Sequence, residues 1–160
     1  VNLVYALPGA RMPAEVAAVD GRITAVRGLP HASGLPGFGA SDHMARLIIE
    51  VRKYQPEINA GINFKCTPTV IDVVQKYCSE LGVSSGKIDR TKEPTEVAGP
   101  DGASMPWKVK QLVDSSGSVP RLFYEGDGWG KEPLFVVLGK DAVEVTEIAI
   151  EIARRYQQER

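Results

Sequence analysis

The residues best placed to do chemistry are a histidine and an arginine, each close to a glycine turn. In FGASDH (Phe38–His43), His43 stands at the start of a helical pattern, directly after a loop punctuated by Gly34, Pro36, Gly37 and Gly39. Such a junction offers a backbone free of large side chains, outward N–H groups and the positive end of a helix dipole. That suits an anion, phosphate above all. Gly39, Ala40 and Ser41 would supply the backbone contacts. Ser41 or Asp42 can cap the helix, because a short side-chain oxygen accepts from first-turn N–H groups. Arg22 follows the Asp20-Gly21 turn, where a guanidinium fork can reach a phosphate bidentately. Taken alone, it reads more simply as a solvated rim residue.

Other groups lie at loop edges. Gly126–Pro133 (GDGWGKEP) brings Lys131 and Glu132 to the mouth of a strand, and a lysine after a glycine-rich loop can set a point charge on phosphate. It is not a P-loop: the spacing differs, no Ser or Thr follows the lysine, and a strand comes next. A tight hairpin-like connection explains the same glycines. Arg90, in DRTKEP (Asp89–Pro94), is either a substrate contact or part of an ion-pair network inside its loop. Asn63 is either a polar residue at a ladder edge or a hydrogen-bonding group for a heterocycle.

Covalent machinery is missing. His31 and His43 are the only imidazoles, Ser41 sits in G-A-S-D-H rather than a nucleophile elbow, and no Cys–His pair is apparent. Cys66, Cys78 and the two histidines are too scattered for a zinc site, so no metal ligands are assigned. The site binds phosphate and a polar ring, and works by electrostatics and positioning.

The positioning elements follow from periodicity. Asn2–Leu7 reads as a buried strand, Pro13–Val19 as a brief helix, Arg22–Arg27 as a strand and Gly28–Gly39 as loop. Met44, Leu47, Ile48 and Val51 give the following helix an apolar face. AGINF (Ala60–Phe64) is a strand. The next helix starts at Thr67-Pro68 and ends at Gly82, with the proline at its first position. Gly86–Asp89 is at most a short strand, and Arg90–Gly102 is a surface loop that can fold over a site. Ser104–Asp114 is a helix, Val119–Tyr124 and Pro133–Leu138 are strands, and Asp141–Tyr156 closes the chain as a helix with Val143, Val145, Ile148, Ala149, Ile152 and Tyr156 inward. Alternating strands and helices argue for a three-layer α/β/α sandwich on a mixed, largely parallel sheet. Phe135–Leu138, apolar at every position, marks a central strand covered on both faces.

Composition bounds the rest. At 160 residues, with 43% hydrophobic and 24% charged residues and a net charge of −1, residues 1–160 read as one ordinary globular domain. No basic cluster attracts nucleic acid, and no apolar run suits a membrane span. The two cysteines read as reduced thiols in the cytoplasm. The start at Val1, without Met, suggests a piece cut from a longer protein.

The blocks ALPGAR (Ala6–Arg11), EVAAVDGRI (Glu15–Ile23), FGASDHMAR (Phe38–Arg46), INFK (Ile62–Lys65), DRTKEP, DGASMPW (Asp101–Trp107) and GKEPLFVVLGKD (Gly130–Asp141) together resemble the ThiN domain, nearly end to end. That family comprises thiamine-phosphate synthases of archaea and some bacteria. The resemblance implies a transferase that joins hydroxymethylpyrimidine diphosphate to hydroxyethylthiazole phosphate, with Arg22 and His43 as the catalytic pair. Gly39, Ala40, Ser41, Asn63, Arg90, Lys131 and Glu132 would bind the substrates. Mg2+ is expected only as a companion of the diphosphate, with no tightly bound cofactor, and the partners are small-molecule phosphates. A homodimer is left open. ThiN domains commonly follow a kinase domain or a helix-turn-helix domain, so a thiamine-phosphate sensor in a transcriptional regulator is the alternative reading.

Overall fold

The computed structural model describes residues 1–98, 103–126 and 132–159. Its strands are β1 (Asn2–Ala6), β2 (Val16–Val19), β3 (Ile23–Val26), β4 (Leu29–Ala32), β5 (Pro36–Phe38), β6 (Ala60–Lys65), β7 (Ser85–Ile88), β8 (Leu122–Glu125) and β9 (Leu134–Gly139). Its helices are α1 (Asp42–Arg52), α2 (Pro68–Leu81), α3 (Thr95–Ala98), α4 (Ser104–Ser116) and α5 (Ala142–Gln158), with single 3-10 turns at Pro13–Glu15 and Arg90–Lys92. Seven strands form one sheet in the order β5-β2-β1-β6-β9-β8-β7, and β3 and β4 make a separate hairpin.

Successive strand side chains point to opposite faces, and β9 uses both. Val136 and Leu138 pack with Met44 and Leu47 of α1 and Val109 and Leu112 of α4. Phe135 and Val137 pack with Val73 and Tyr77 of α2 and Val145 and Ile152 of α5. Three layers result, and the unbroken apolar run of β9 is the mark of a strand covered twice.

The sheet is not largely parallel. Of its six pairings only β7–β8 is parallel. The helix α2 leads from β6 to β7, yet β9 and β8 lie between those two strands. Only the helical connection through α4 joins sheet neighbours, β7 and β8, and that is the parallel pair; α1 and α2 join strands that lie apart, so alternation of elements alone does not give direction.

Local signals explain much of the rest. Thr67 Oγ1 accepts from Val70 N–H at 3.3 Å, and Gly82 closes α2 at φ +63°. Asp141 Oδ1 accepts from Glu144 N–H at 2.9 Å to start α5. Several expectations are corrected. Pro13–Val19 makes one 3-10 turn and then β2, because Val16–Val19 is held between β1 and β5. Gly28–Gly39 holds two short strands, β4 and β5. Arg90–Ala98 is not irregular, since it carries a 3-10 turn and α3. Val143 is 67% exposed rather than part of the buried stripe of α5. Cys66 and Cys78 are buried and unbridged, and burial pushes the Cys78 thiol up.

One glycine sets where α1 lies. A Cβ on Gly61 of β6 would meet Ile48 Cδ1 at 3.1 Å and Met44 Cε at 3.2 Å. The missing side chain lets α1 approach the sheet, which fixes the position of its first turn. Gly61→Ala is expected to destabilise the chain by about 1–3 kcal/mol through overpacking. Urea unfolding should show a lower midpoint with unchanged slope. An unchanged midpoint would mean that the two side chains simply yield.

Candidate active site

Polar groups collect at one edge of the sheet. There β6 and β8 end, β1 and β9 begin, and α1 starts beside them. The register pairs Asn2 with Asn63 and sets both Lys65 and Glu125 against Leu134. A cavity of about 680 Å³ opens at this edge, with Arg22, Ser41, His43, Asn63, Arg90 and Glu125 on its wall.

The first turn of α1 lines the cavity from Ala40 to Met44. Ser41 occupies the cap position, but its side chain does not cap the helix. Its Oγ instead accepts from Asn2 Nδ2 at 2.7 Å, a buried bond to β1. Asp42 does not cap either, being the first helical residue and paired with Arg46 at 2.7 Å. The first-turn N–H groups are thus left without a side-chain cap, at the positive end of the helix dipole. Gly39 is not on the wall; its N–H donates to the Val16 carbonyl at 3.0 Å, and φ +74° explains why glycine is there.

Arg22 is exposed on the wall, in a left-handed backbone at φ +74°. Two backbone bonds hold it so: its N–H donates to Val19 C=O at 3.2 Å, and its carbonyl accepts from Ser33 N–H at 2.9 Å. Asn63 fits its ladder-edge reading, its Oδ1 accepting from Asn2 N–H at 2.8 Å, and the residue also borders the cavity. Glu132 is exposed and lines the opening. Lys131 lies outside the described residues, together with the rest of 127–131, so only the flanks Glu125 and Glu132 are seen to reach the cavity.

Beneath His43 is a buried ionic cluster: the loop ion pair that the sequence offered for Arg90, made with Glu93, is joined by Glu125 and Lys108, which pattern reading did not find. Glu125 Oε2 accepts from Lys108 Nζ at 2.6 Å and from Arg90 Nη1 at 3.4 Å. Arg90 turns its other donors to Glu93 Oε2, at 2.9 and 3.3 Å. All four side chains are at most 7% exposed. Two cations and two carboxylates balance, which burial demands. Arg90 therefore serves an internal network and also faces the cavity. The backbone of the preceding residue is anchored by Gln111 of α4, whose Oε1 accepts from Asp89 N–H at 2.7 Å. Glu125 Oε1 lies 3.9 Å from His43 Nε2 and has no hydrogen-bond partner among the described residues. Signals existed: Glu125 falls two residues after buried Phe123 on one strand, and Lys108 shares the stripe of Met105, Val109 and Leu112.

The family model described as thiamine-phosphate synthase ThiN matches residues 1–151. The chain belongs to the ThiN family. It is 39% identical over 156 residues to "Thiamine-phosphate synthase ThiN" of Methanothermobacter thermautotrophicus, covering 98% of this chain and 80% of that one. It is 36% identical over 147 residues to "Bifunctional thiamine biosynthesis protein ThiDN" of Methanocaldococcus jannaschii, 91% of this chain but only 33% of that protein. A crystal structure of the C-terminal domain of a phosphomethylpyrimidine kinase superposes with a TM-score of 0.90 at 33% identity, covering 94% of this chain and 83% of that one. The α/β architecture and transferase function expected of the ThiN resemblance stand on these matches.

In this ThiN chain, Lys108→Met keeps the length of the side chain but strips Glu125 of its nearest cation. The loss in stability should be about 3–5 kcal/mol, the range for breaking one partner out of a buried pair. Chemical denaturation measures it. A loss under about 1 kcal/mol would mean that Arg90 alone satisfies the carboxylate.

Proposed function

We propose that the chain condenses hydroxymethylpyrimidine diphosphate with hydroxyethylthiazole phosphate at this cavity, releasing pyrophosphate and forming thiamine phosphate. Family membership carries the synthase function. The convergence of Arg22, His43 and the uncapped first turn of α1 on one cavity wall is what supports this location.

The bond between the pyrimidinylmethyl carbon and the diphosphate oxygen breaks, and its electron pair leaves with pyrophosphate. The thiazole nitrogen supplies the pair for the new C–N bond and becomes the quaternary cation. No proton has to move, and no protein nucleophile is required. What the protein must supply is charge for the leaving anion, a dry place for the cation and alignment of the two rings. Arg22 offers a fork to the diphosphate, the α1 N–H groups offer fixed dipoles, and His43 as imidazolium adds a further donor. Deeper in, Met44, Phe64 and Leu134 give the rings an apolar bed, with Asn63 beside it.

In this reading Mg2+ arrives with the diphosphate as part of the substrate. Among the described residues no group of three metal-ligating side chains could hold an ion by itself. The exposed carboxylates of Asp42 and Glu132 line the cavity where such a complex would enter. No helix of the described residues is long and apolar enough to cross a membrane, and we place the reaction in the cytoplasm.

The purified chain, given both phosphorylated precursors and Mg2+, should yield thiamine phosphate, read as fluorescent thiochrome after oxidation. A folded chain that gives no product above background overturns the proposal.

Arg22 allows function to be separated from stability. A left-handed backbone costs an L-residue on the order of 1–2 kcal/mol, and glycine adopts it freely. Arg22→Gly should therefore melt no lower than the parent chain, yet lose about 100-fold or more in kcat. Retained activity in that variant would remove Arg22 from the reaction.

A further inference from the structure

We propose that Glu125 is the positioning residue of His43, its Oε1 holding the imidazole Nε2–H at the cavity wall. The inference rests on the reading that His43 works in this cavity. Glu125 uses its two oxygens differently. Oε2 accepts from Lys108 and Arg90 inside the buried cluster. Oε1 is buried, carries no hydrogen bond among the described residues, and stands 3.9 Å from His43 Nε2. Burying a carboxylate oxygen without a donor is unfavourable, so a donor that can approach it is strongly drawn in. At 3.9 Å the pair is outside hydrogen-bond range but well within Coulomb range. Contacts of this kind often tighten when substrate closes the site.

The architecture suits the task. Glu125 is held from below by α4 and by the segment after β7, so its carboxylate cannot swing to follow the ring. The imidazole side chain is 49% exposed at the start of α1, and Glu125 reaches it from the buried side. With Nε2–H aimed at Glu125, the ring keeps one orientation at the cavity wall. The carboxylate also favours the imidazolium, the form that helps a departing diphosphate.

Charges around His43 oppose one another. Asp42 and Arg46 pair on its own helix. Lys65 of β6, Arg22 before β3 and Glu132 before β9 share its cavity, while Arg90, Glu93 and Lys108 are tied to one another through the cluster. Among the described residues, Glu125 is the carboxylate seen against Nε2.

Two histidines make the test direct, because His31 lies on the exposed β4 hairpin and serves as an internal reference. Imidazole nitrogens would be followed by 15N NMR through a pH titration, with His31→Gln assigning the pair. Loss of a neighbouring carboxylate disfavours the cation, so Glu125→Gln should lower the midpoint of His43 by about one unit and leave His31 in place. In the synthase assay the alkaline fall of kcat should move down by the same interval, with kcat reduced about tenfold and KM changed less than twofold. An unmoved His43 midpoint in the folded variant overturns the inference, whatever the assay says of the reaction. Should Glu125→Gln not fold, the parent chain decides. Above the His43 midpoint the neutral ring must carry its proton on Nε2, and a proton on Nδ1 overturns the proposal.

Discussion

The ion pair between Glu125 and Lys108 is the contact on which the end of the sheet depends. A carboxylate 3% exposed and an ammonium 1% exposed have left water together, and neither is tolerable alone. Lys108 can reach Glu125 only if α4 lies tight against the face of β8. Arg90 can join only if the chain turns inward directly after β7, and that turn is secured by Gln111 of the same α4. The pairing of β7 with β8, the one parallel pair in the sheet, delivers Ile88 and Glu125 to the same edge. One requirement for charge balance thus ties a strand, a helix and a turn into a rigid floor.

Above that floor the requirement is geometric. Gly61 allows α1 down onto β6, and the bond from Asn2 to Ser41 ties the start of the helix to β1. That bond takes the serine oxygen away from its usual capping duty. The helix loses a cap, normally a matter of about 1 kcal/mol. In exchange its first-turn donors face the cavity without competition from a side chain of their own. A mild local cost at a loop–helix junction is what a binding site looks like when its backbone is meant for something else.

How much was legible in the sequence depended on whether a signal was local. Thr67-Pro68 and Gly82 carry their own backbone instructions, and the bounds of α2 followed from them. Phe135–Leu138 announced a twice-covered strand because burial on two faces leaves no room for polar residues. Strand direction is not local: β6 and β7 are parted by two strands that come later in the chain, so the parallel expectation failed. Pro13–Val19 failed for a related reason, since pairing with β1 and β5 overrode a proline that merely permits a helix. Arg22, His43, Ser41 and Asn63 could be singled out because polar residues beside glycine at loop edges are conspicuous. Glu125 and Lys108 were passed over because charges inside apolar patterns look like surface, and only a partner from a distant element makes burial affordable. Asn2 escaped notice for the same reason.

The cluster also decides which cations remain for an anion. Lys108 and Arg90 are positive, but Glu125 and Glu93 hold their charge within the protein, so they cannot turn fully to a ligand. Among the described residues, the exposed cationic side chains of the cavity are Arg22 and Lys65, joined by His43 when protonated. All three lie toward solvent, while Met44 and Leu134 make the wall more apolar farther in. The mouth therefore offers these cations beside the exposed carboxylates of Asp42 and Glu132, while farther in the apolar wall lies next to a charge-balanced cluster. In the proposed reaction, a substrate with a diphosphate at one end and a flat ring at the other matches that wall best with the anion outward and the ring inward. With the ring carbon then at the boundary, the leaving group departs toward charge and water, and the cation it leaves behind is shielded from both. That orientation needs no single strong contact to enforce it, because reversal would strip the diphosphate of its cations and strand it among apolar side chains.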